Sequence, residues 1–203
     1  MTALELAPRR VSVLSRAPLG AEGSTLWAQG GIAAAMADDD GPALHAADTI
    51  VAGDGLTDPE IAEQFAQAAP QAIGKLSRIG ARFDRTNGGG YALGLEAAHS
   101  RPRIVHAGGD GTGREIMRAL VAAARRASSI EILEGFEARR LLVEGKAVRG
   151  LLAVGPSGPV ALATDKVVIA TGGIGGTVCR QHQPTEQFRA GSGAGRARRR
   201  CFG

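Results

Sequence analysis

Residues 23–36, with the sequence GSTLWAQGGIAAAM, contain residue types that could hold a ligand. Ser24 and Thr25 are good helix N-caps and the apolar end of the segment favours helix, so a loop that turns into a helix is predicted. Gly30 and Gly31 have no Cβ, so a flat or negatively charged ligand could approach the main-chain N–H groups closely there. Taken alone, the segment is explained more simply by an ordinary glycine turn before a buried helix.

The sequence offers only weak candidates for metal ligands. The acidic run Asp38-Asp39-Asp40 lacks the other ligands of a calcium loop, so we interpret it as a solvated loop. Both cysteines, Cys179 and Cys201, lie late in the chain, so the residues before them offer no disulfide and no cysteine metal site. We predict no metal site and assign no catalytic side chain among the 203 residues.

These residues lie within a pattern of alternating helices and strands. Helices are predicted from capping residues and from apolar spacing: a helix end over 1–6, then 42–51, 58–80 with a division at Pro70, and 112–126 with a capping box of Thr112 and Glu115. Strands are predicted from short apolar runs: 10–15, 130–133, 138–143, 148–154, 160–163 and a fully apolar, buried strand at 167–170. Residues 86–111 are glycine-rich and predict a loop or loose hairpin. The pattern indicates an α/β fold up to Gly176.

The positive charge of the chain is concentrated at one end. The formal net charge is +4, but residues 177–203 hold six arginines and one acidic residue, so the rest of the chain sums to −1. Only 3% of the residues are aromatic, which argues against a stacking surface for single-stranded nucleic acid. No apolar run reaches the roughly 18 residues of a membrane span and no signal peptide is recognised. We therefore expect a cytoplasmic protein with neither a membrane nor a nucleic acid as partner.

Four stretches together resemble one family, the succinate dehydrogenase, fumarate reductase and aspartate oxidase flavoproteins. They are Gly23-Ser24-Thr25, Ala28-Gln29-Gly30-Gly31-Ile32-Ala33, Asp110-Gly111-Thr112-Gly113-Arg114-Glu115 and Ala170-Thr171-Gly172-Gly173. The resemblance covers residues 1–176 and implies a partial Rossmann-like FAD-binding domain, with residues 177–203 as a separate basic tail. It is strongest to the aspartate oxidase branch. The dehydrogenases and quinol-linked reductases carry a histidine that bonds covalently to FAD just before the Ala-Gln-Gly-Gly element, and residues 24–27 contain none, which implies non-covalent FAD.

The resemblance also implies which residues meet the cofactor. They are Arg16, Ser24, Thr25, Ala28, Gln29, Gly30, Gly31, Ala138, Arg139, Thr171, Gly172 and Gly173. For Arg16, contact with the adenosine ribose or a phosphate and simple solvation are equally supported. A plain edge strand explains Ala138 and Arg139 almost as well as contact with the adenosine does.

A second loop implies a substrate contact. Leu95-Glu96-Ala97-Ala98-His99-Ser100 resembles the loop in which aspartate oxidases carry a glutamate that faces the substrate amino group. Glu96 is therefore the implied substrate-binding residue, because a carboxylate makes a charge-assisted hydrogen bond to an ammonium group. The alternative is an exposed loop carboxylate. His99 and His106 are further candidates, although lone histidines are more often structural.

The implied activity is the FAD-dependent oxidation of L-aspartate to iminoaspartate in de novo NAD biosynthesis. O2 or fumarate would accept the electrons, and quinolinate synthase would act next. One alternative is a fumarate reductase or succinate dehydrogenase relative, against which Glu96 and the missing histidine count. The other is a non-catalytic protein whose basic tail binds nucleic acid.

Parts of the family pattern are not among the 203 residues. The family begins with a strand and a Gly-x-Gly-x-x-Gly turn before the helix that holds the FAD pyrophosphate, and Met1 to Leu6 resembles the last turns of that helix. The family also continues into a capping domain that carries a proton-transferring arginine. We therefore expect an inactive fragment. Residues 177–203 are interpreted as a frameshifted end or as a genuine basic, disordered extension.

Overall fold

The computed structural model describes residues 1–173, so the basic segment 177–203 lies outside the described residues. The elements in chain order are α1 (Thr2–Glu5), β1 (Val11–Ser15), a 3₁₀ helix (Ser24–Trp27), β2 (Ile32–Ala33), α2 (Pro42–Ala52), α3 (Pro59–Arg78), β3 (Leu93–Gly94), β4 (Ile104–Val105), α4 (Thr112–Arg126), β5 (Ile130–Glu134), β6 (Glu137–Glu144), β7 (Ala147–Gly155) and β8 (Gly158–Ala163). No helix in this range is long and apolar enough to cross a membrane. The chain divides into one unit of residues 1–24 with the residues from 124 on, and a second of residues 25–123.

The first unit is dominated by strands. β1 runs parallel to β5, with Val11 opposite Ile130 and Ser15 opposite Glu134, and β6, β7 and β8 form an antiparallel meander. The main-chain N–H of Phe136 donates to the carbonyl of Ser15 at 3.1 Å. The chain therefore passes from β5 into β6 beside the end of β1. The strands predicted from short apolar runs at 10–15 and between 130 and 163 are confirmed.

The second unit combines helices with a small antiparallel sheet of order β2-β4-β3. Its buried cluster joins residues of α3, β4 and α4 with residues of the intervening loops: Ala34, Ile73, Ala81, Phe83, Val105, Ala107 and Ala119. Burial of one Val or Ile side chain of this kind stabilises a fold by about 1.5–3 kcal/mol. β3 and β4 lie within residues 86–111, so that segment adopts the hairpin rather than the loop of the two predicted alternatives.

Helix α3 is continuous, so the predicted division at Pro70 is wrong. The Asp58 carboxylate accepts from the main-chain N–H groups of Glu60 and Ile61 at 3.0 and 3.3 Å, and Pro59 occupies the first turn, where no donor is needed. Pro70 removes one N–H donor from the middle of the helix. Buried side chains on both sides of it, among them Ala66 and Ile73, keep both halves packed on one apolar face.

The helix predicted at the end of residues 23–36 is also wrong. Ile32 and Ala33 form β2 and pair with Val105 and Ile104 of β4, and Ala34 to Met36 lie outside any helix or strand. Alanine favours helix by only a few tenths of a kcal/mol per residue over most alternatives. Pairing with a buried strand outweighs that preference.

The predicted buried strand at 167–170 does not form. Val168 and Ile169 are 65% and 70% exposed, and the segment belongs to no strand. An apolar strand is buried only when neighbouring strands take up its N–H and C=O groups and further layers cover its faces. Among residues 1–173, no strand pairs with this segment.

The capping box predicted for Thr112 and Glu115 is replaced by tertiary contacts. The Thr112 hydroxyl accepts from the main-chain N–H of Ala107 at 3.1 Å. The Glu115 carboxylate accepts from the main-chain N–H of Arg82 at 2.7 Å and forms an ion pair with Arg118. The first turn of α4 is instead held by the N–H of Gly113, which donates to the carbonyl of Ala28 at 3.1 Å.

Gly113 is the position at which this docking excludes a side chain. A Cβ there would collide with the carbonyl oxygen of Thr25 and lie 2.9 Å from the Cβ of Ala28. We expect Gly113→Ala to lower the free energy of unfolding by about 1–3 kcal/mol, as overpacking does. Helix propensity alone predicts the opposite sign, since Ala is favoured over Gly by about 1 kcal/mol.

Urea unfolding followed by circular dichroism measures this effect, with Gly88→Ala as the matched control. A Cβ on Gly88 would meet only the Thr86 hydroxyl, at 3.9 Å. Equal stability of the two variants would contradict the tight docking of α4.

Candidate functional site

The carboxylate of Glu96 lies beside Gly30, so the structure brings together the predicted substrate residue and one of the predicted cofactor residues. A Cβ built on Gly30 would stand 3.9 Å from Oε1 of Glu96 and would meet nothing closer. Glu96 is exposed, and its carboxylate has no hydrogen bond or ion pair within residues 1–173. A charged acceptor therefore projects next to an open stretch of main chain.

The main chain of this stretch has free donors. Ala28, Gln29 and Gly30 are exposed, and the N–H groups of Gln29 and Gly30 donate to no group in the described part of the chain. The N–H of Ala28 is used, since it donates to the carbonyl of Thr25 at 3.2 Å. Two adjacent free donors can bind an acceptor atom of a ligand, and water would satisfy them otherwise.

Gly31 and Thr25 have structural roles in the same segment. A Cβ on Gly31 would collide with the side chain of Ile104 and the main chain of Val105, so close packing on β4 accounts for this glycine. The carbonyl of Thr25 packs against Gly113, and Ser24 opens the 3₁₀ helix that contains both hydroxyl residues. The prediction that Ser24, Thr25 and Gly31 touch the cofactor stays a prediction.

In the first unit, Arg16 follows β1 and is half-buried. Its guanidinium forms an ion pair with Glu22 at 3.0 Å. The same loop is held at Leu19, whose N–H donates to Glu134 at 2.8 Å, and Glu134 also pairs with Arg125 at 3.0 Å. Arg16 is thus positioned by its own loop, and its contact with the adenosine remains a prediction.

The other cofactor candidates of this unit are exposed. Ala138 and Arg139 lie on β6 where the pairing register with β7 shifts, and Arg139 forms an ion pair with Glu137 at 2.8 Å. Thr171, Gly172 and Gly173 lie outside any strand, and Gly172 has a φ of +81°, which favours glycine. Added Cβ atoms on Gly172 and Gly173 would meet nothing within 4 Å. The main chain there is open to a ligand.

A buried network of charges lies below the Glu96 loop, and the sequence analysis missed it. Arg103 is fully buried, and its guanidinium donates twice to Asp40, at 2.9 and 2.8 Å, and once to Asp48, at 2.7 Å. The Asp48 oxygen that accepts from Arg103 also accepts from the main-chain N–H and the hydroxyl of Ser100, at 2.7 and 2.8 Å. Nδ1 of His99 lies 3.5 Å from the guanidinium. This arrangement satisfies a buried cation with two carboxylates.

The interpretation of Asp38-Asp39-Asp40 as a solvated loop is therefore wrong for Asp40. The Asp40 side chain is fully buried against Arg103, whereas Asp39 is exposed and pairs loosely with Arg101 at 3.5 Å. Local sequence does not distinguish the two aspartates, because their partners lie about 60 residues away. The available signal was Arg103 itself, directly before the apolar pair of β4. Among the described residues, no group of three or more side chains is arranged to hold a metal ion.

His45 of α2 is buried at the edge of this network. Its ring stands edge-on to that of His99, with 5.8 Å between the ring centroids, and Nδ1 has no hydrogen-bond partner in the described structure. Burial lowers the pKa of His45, and the charge of Arg103 lowers it further, although Asp40 and Asp48 act in the opposite direction. The pKa of Asp48 is also lowered, chiefly by the main-chain N–H of Ser100.

We expect Arg103→Met to lower the free energy of unfolding by about 3–5 kcal/mol, because it leaves the buried Asp40 carboxylate without a counterion. Arg101→Met is the matched control from the same loop. It removes an exposed ion pair and should cost about 1 kcal/mol or less. Urea denaturation of both variants measures the difference, and similar losses would contradict the buried network.

The lowered pKa of His45 predicts a pH dependence of stability. The unfolded state takes up a proton near pH 6.5, its ordinary histidine value, whereas the folded state resists protonation to lower pH. The free energy of unfolding should therefore fall as the pH drops below about 6.5. His45→Phe should flatten the profile between pH 6.5 and 5, and unfolding titrations at several pH values test this. An unchanged slope in the variant would contradict it. A further decline at more acidic pH, from Asp48, should persist in both proteins.

Comparison with known protein families gives one clear match. The model of the FAD binding domain family matches residues 1–195. L-aspartate oxidase of Mesorhizobium japonicum is 52% identical over 203 residues, and that of Agrobacterium fabrum is 50% identical over 191 residues. The matched parts are 100% and 94% of this chain but only 39% and 37% of the relatives. The chain thus spans well under half of the length of these relatives.

Solved structures agree with the predicted fold class. The structure of Mycobacterium smegmatis Sdh1 in complex with UQ1 superimposes with a TM-score of 0.80 at 29% identity, over 87% of this chain and 32% of the other. A quinol-fumarate reductase with menaquinol molecules superimposes with a TM-score of 0.83 at 24% identity, over 91% of this chain and 32% of the other. The second likeness concerns the fold alone. The α/β fold of the flavoprotein type that the motifs predicted is confirmed, and the chain belongs to the FAD binding domain family.

Proposed function

We propose that the chain is the FAD-binding part of an L-aspartate oxidase, which oxidises L-aspartate to iminoaspartate in de novo NAD biosynthesis. The observation that carries the proposal is the Glu96 carboxylate beside Gly30. The identity to L-aspartate oxidases of two organisms supports it. The substrates would be L-aspartate and, as an electron acceptor, O2 or fumarate. Quinolinate synthase would consume the product, and we propose the cytoplasm as the place of the reaction.

The chemistry of Glu96 distinguishes the proposed substrate from simpler dicarboxylates. L-aspartate carries an ammonium group, which donates a charge-assisted hydrogen bond to a carboxylate. Fumarate and succinate carry no such group, so Glu96 gives them no equivalent contact. A succinate dehydrogenase or fumarate reductase relative is the second candidate, supported by the likeness to Sdh1. Glu96 and the absence of histidine from residues 24–27 favour the first.

Residues of each unit have features that suit FAD, the cofactor of this family. The free N–H groups of Gln29 and Gly30 suit acceptor atoms of the cofactor, and the open main chain at Gly172 and Gly173 permits close approach. We propose that these residues, with Arg16, Ser24, Thr25, Ala28, Gly31, Ala138, Arg139 and Thr171, contact FAD without a covalent bond. FAD supplies the oxidation by accepting two electrons from the substrate. The residues of the chain bind it and orient the substrate beside it.

The domain boundary is a further part of the proposal. We place the FAD-binding part at residues 1–176 and treat residues 177–203 as a separate basic tail. The change in composition supports this division, since the tail holds a net charge of +5 and both cysteines. The third candidate is a non-catalytic protein whose basic tail binds nucleic acid, and only the net charge of residues 177–203 favours it.

Replacement of Glu96 tests the proposed substrate contact. The test requires a chimera in which residues 1–173 replace the matching segment of the Mesorhizobium japonicum relative, so that the rest of the protein is supplied by that relative. Glu96→Gln should lower kcat/KM for L-aspartate roughly ten- to a hundredfold, because a hydrogen bond to a charged partner is worth about 1.5–3 kcal/mol. Fumarate reduction driven by a reduced dye should change little, since fumarate has no ammonium group.

Glu63→Gln, at an exposed glutamate of α3, serves as the control and should leave both activities unchanged. Equal losses for both substrates in Glu96→Gln would mean that Glu96 supports the fold or the cofactor. A chimera that binds FAD but does not oxidise L-aspartate would refute the proposed function. Flavin released by acid precipitation into the supernatant would support the non-covalent attachment.

A further inference from the structure

The loop that carries Glu96 is closed at its neck. It leaves β3 after Gly94 and returns at Arg103, whose main-chain N–H donates to the carbonyl of Gly94 at 3.0 Å. Within the loop, the N–H of His99 donates to the carbonyl of Glu96 at 3.3 Å, and Ala98 adopts a φ of +71°. Glu96 therefore begins a tight turn, and its carboxylate depends on the turn for its direction.

Hydrogen bonds between Ser100 and Asp48 hold the end of the turn. Ser100 presents both its N–H and its hydroxyl to the same oxygen of Asp48, at 2.7 and 2.8 Å. Asp48 lies on α2 and is itself fixed by the guanidinium of Arg103 at 2.7 Å. The turn at Glu96 is thus tied to a helix through one carboxylate oxygen with three donors.

Arg103 also forms hydrogen bonds with the segment that follows Gly30. The carbonyl of Arg103 accepts from the N–H of Ala34 at 2.9 Å, directly after β2, and its guanidinium holds Asp40 by two hydrogen bonds. Arg103 therefore contacts the chain on the Gly30 side through Ala34 and Asp40. Through Asp48 and the neck it contacts the Glu96 loop.

We propose that Arg103 and Asp48 are positioning residues that hold the Glu96 carboxylate beside Gly30 and so set the preference for an amino-bearing dicarboxylate. The inference rests on the proposed function, because it acts through Glu96. Neither residue touches the substrate in this proposal. Removal of the hydrogen bond from the Ser100 hydroxyl to Asp48 should therefore weaken recognition of L-aspartate through Glu96. Reactions that do not use Glu96 should be unchanged.

Ser100→Ala is the sharpest test, since Ser100 is exposed and its replacement leaves the buried ion pairs in place. In the chimera, KM for L-aspartate should rise about two- to tenfold, as expected for one lost hydrogen bond, with kcat and dye-driven fumarate reduction retained. Ser100→Thr keeps the hydroxyl and should restore KM. Ser157→Ala, in the exposed turn between β7 and β8, is the control and should have no effect.

A double-mutant cycle with Glu96→Gln decides whether the effect passes through Glu96. The rise in KM caused by Ser100→Ala should disappear in the Glu96→Gln background. The same rise in both backgrounds would overturn the proposal, because Ser100 would then act on the fold or the cofactor. No rise in either background would overturn it as well. If Glu96→Gln itself leaves L-aspartate oxidation unchanged, the proposed function of Glu96 fails, and that result is distinct from an additive cycle.

Discussion

The second unit depends on one buried cation. A fully buried guanidinium loses its hydration, and only close carboxylates and a complete set of hydrogen bonds can compensate that loss. Arg103 meets this requirement with Asp40 from the loop before α2 and with Asp48 from α2 itself. Its main chain also pairs with Gly94 and Ala34. Loops that are distant in sequence are thereby fixed to one another, and the apolar cluster around Val105 forms beside them.

The glycines of the family motifs have two different roles in this structure. At Gly31 and Gly113 a neighbouring strand or turn occupies the space that a Cβ would need, so these glycines permit close packing. At Gly30 the space stays open, and the N–H groups of Gln29 and Gly30 donate to no group within residues 1–173. Of the two adjacent glycines of one motif, Gly31 therefore permits close packing and Gly30 leaves the main chain accessible.

The comparisons separate fold from specificity. A structure at 29% identity shares the fold with a TM-score of 0.80, so the arrangement of helices and strands tolerates many substitutions. Substrate preference in such folds resides in a few side chains on loops. In the proposed function Glu96 is a residue of this kind, since it is exposed and its carboxylate forms no hydrogen bond or ion pair within residues 1–173.

The sequence by itself determined the larger helices and most strands, because periodic apolar residues and capping residues such as Asp58 act locally. It also determined the family, because the Ala28-Gln29-Gly30-Gly31 and Thr171-Gly172-Gly173 motifs are local as well. Only the tertiary structure decided that Ile32 and Ala33 form a strand, that Pro70 is accommodated in α3 and that Thr112 and Glu115 bond outside their own helix. It alone decided that Asp40 is buried while Asp39 is exposed. Each of these outcomes depends on a partner distant in sequence, and the free energy of such a contact exceeds the small local preference that a sequence pattern records.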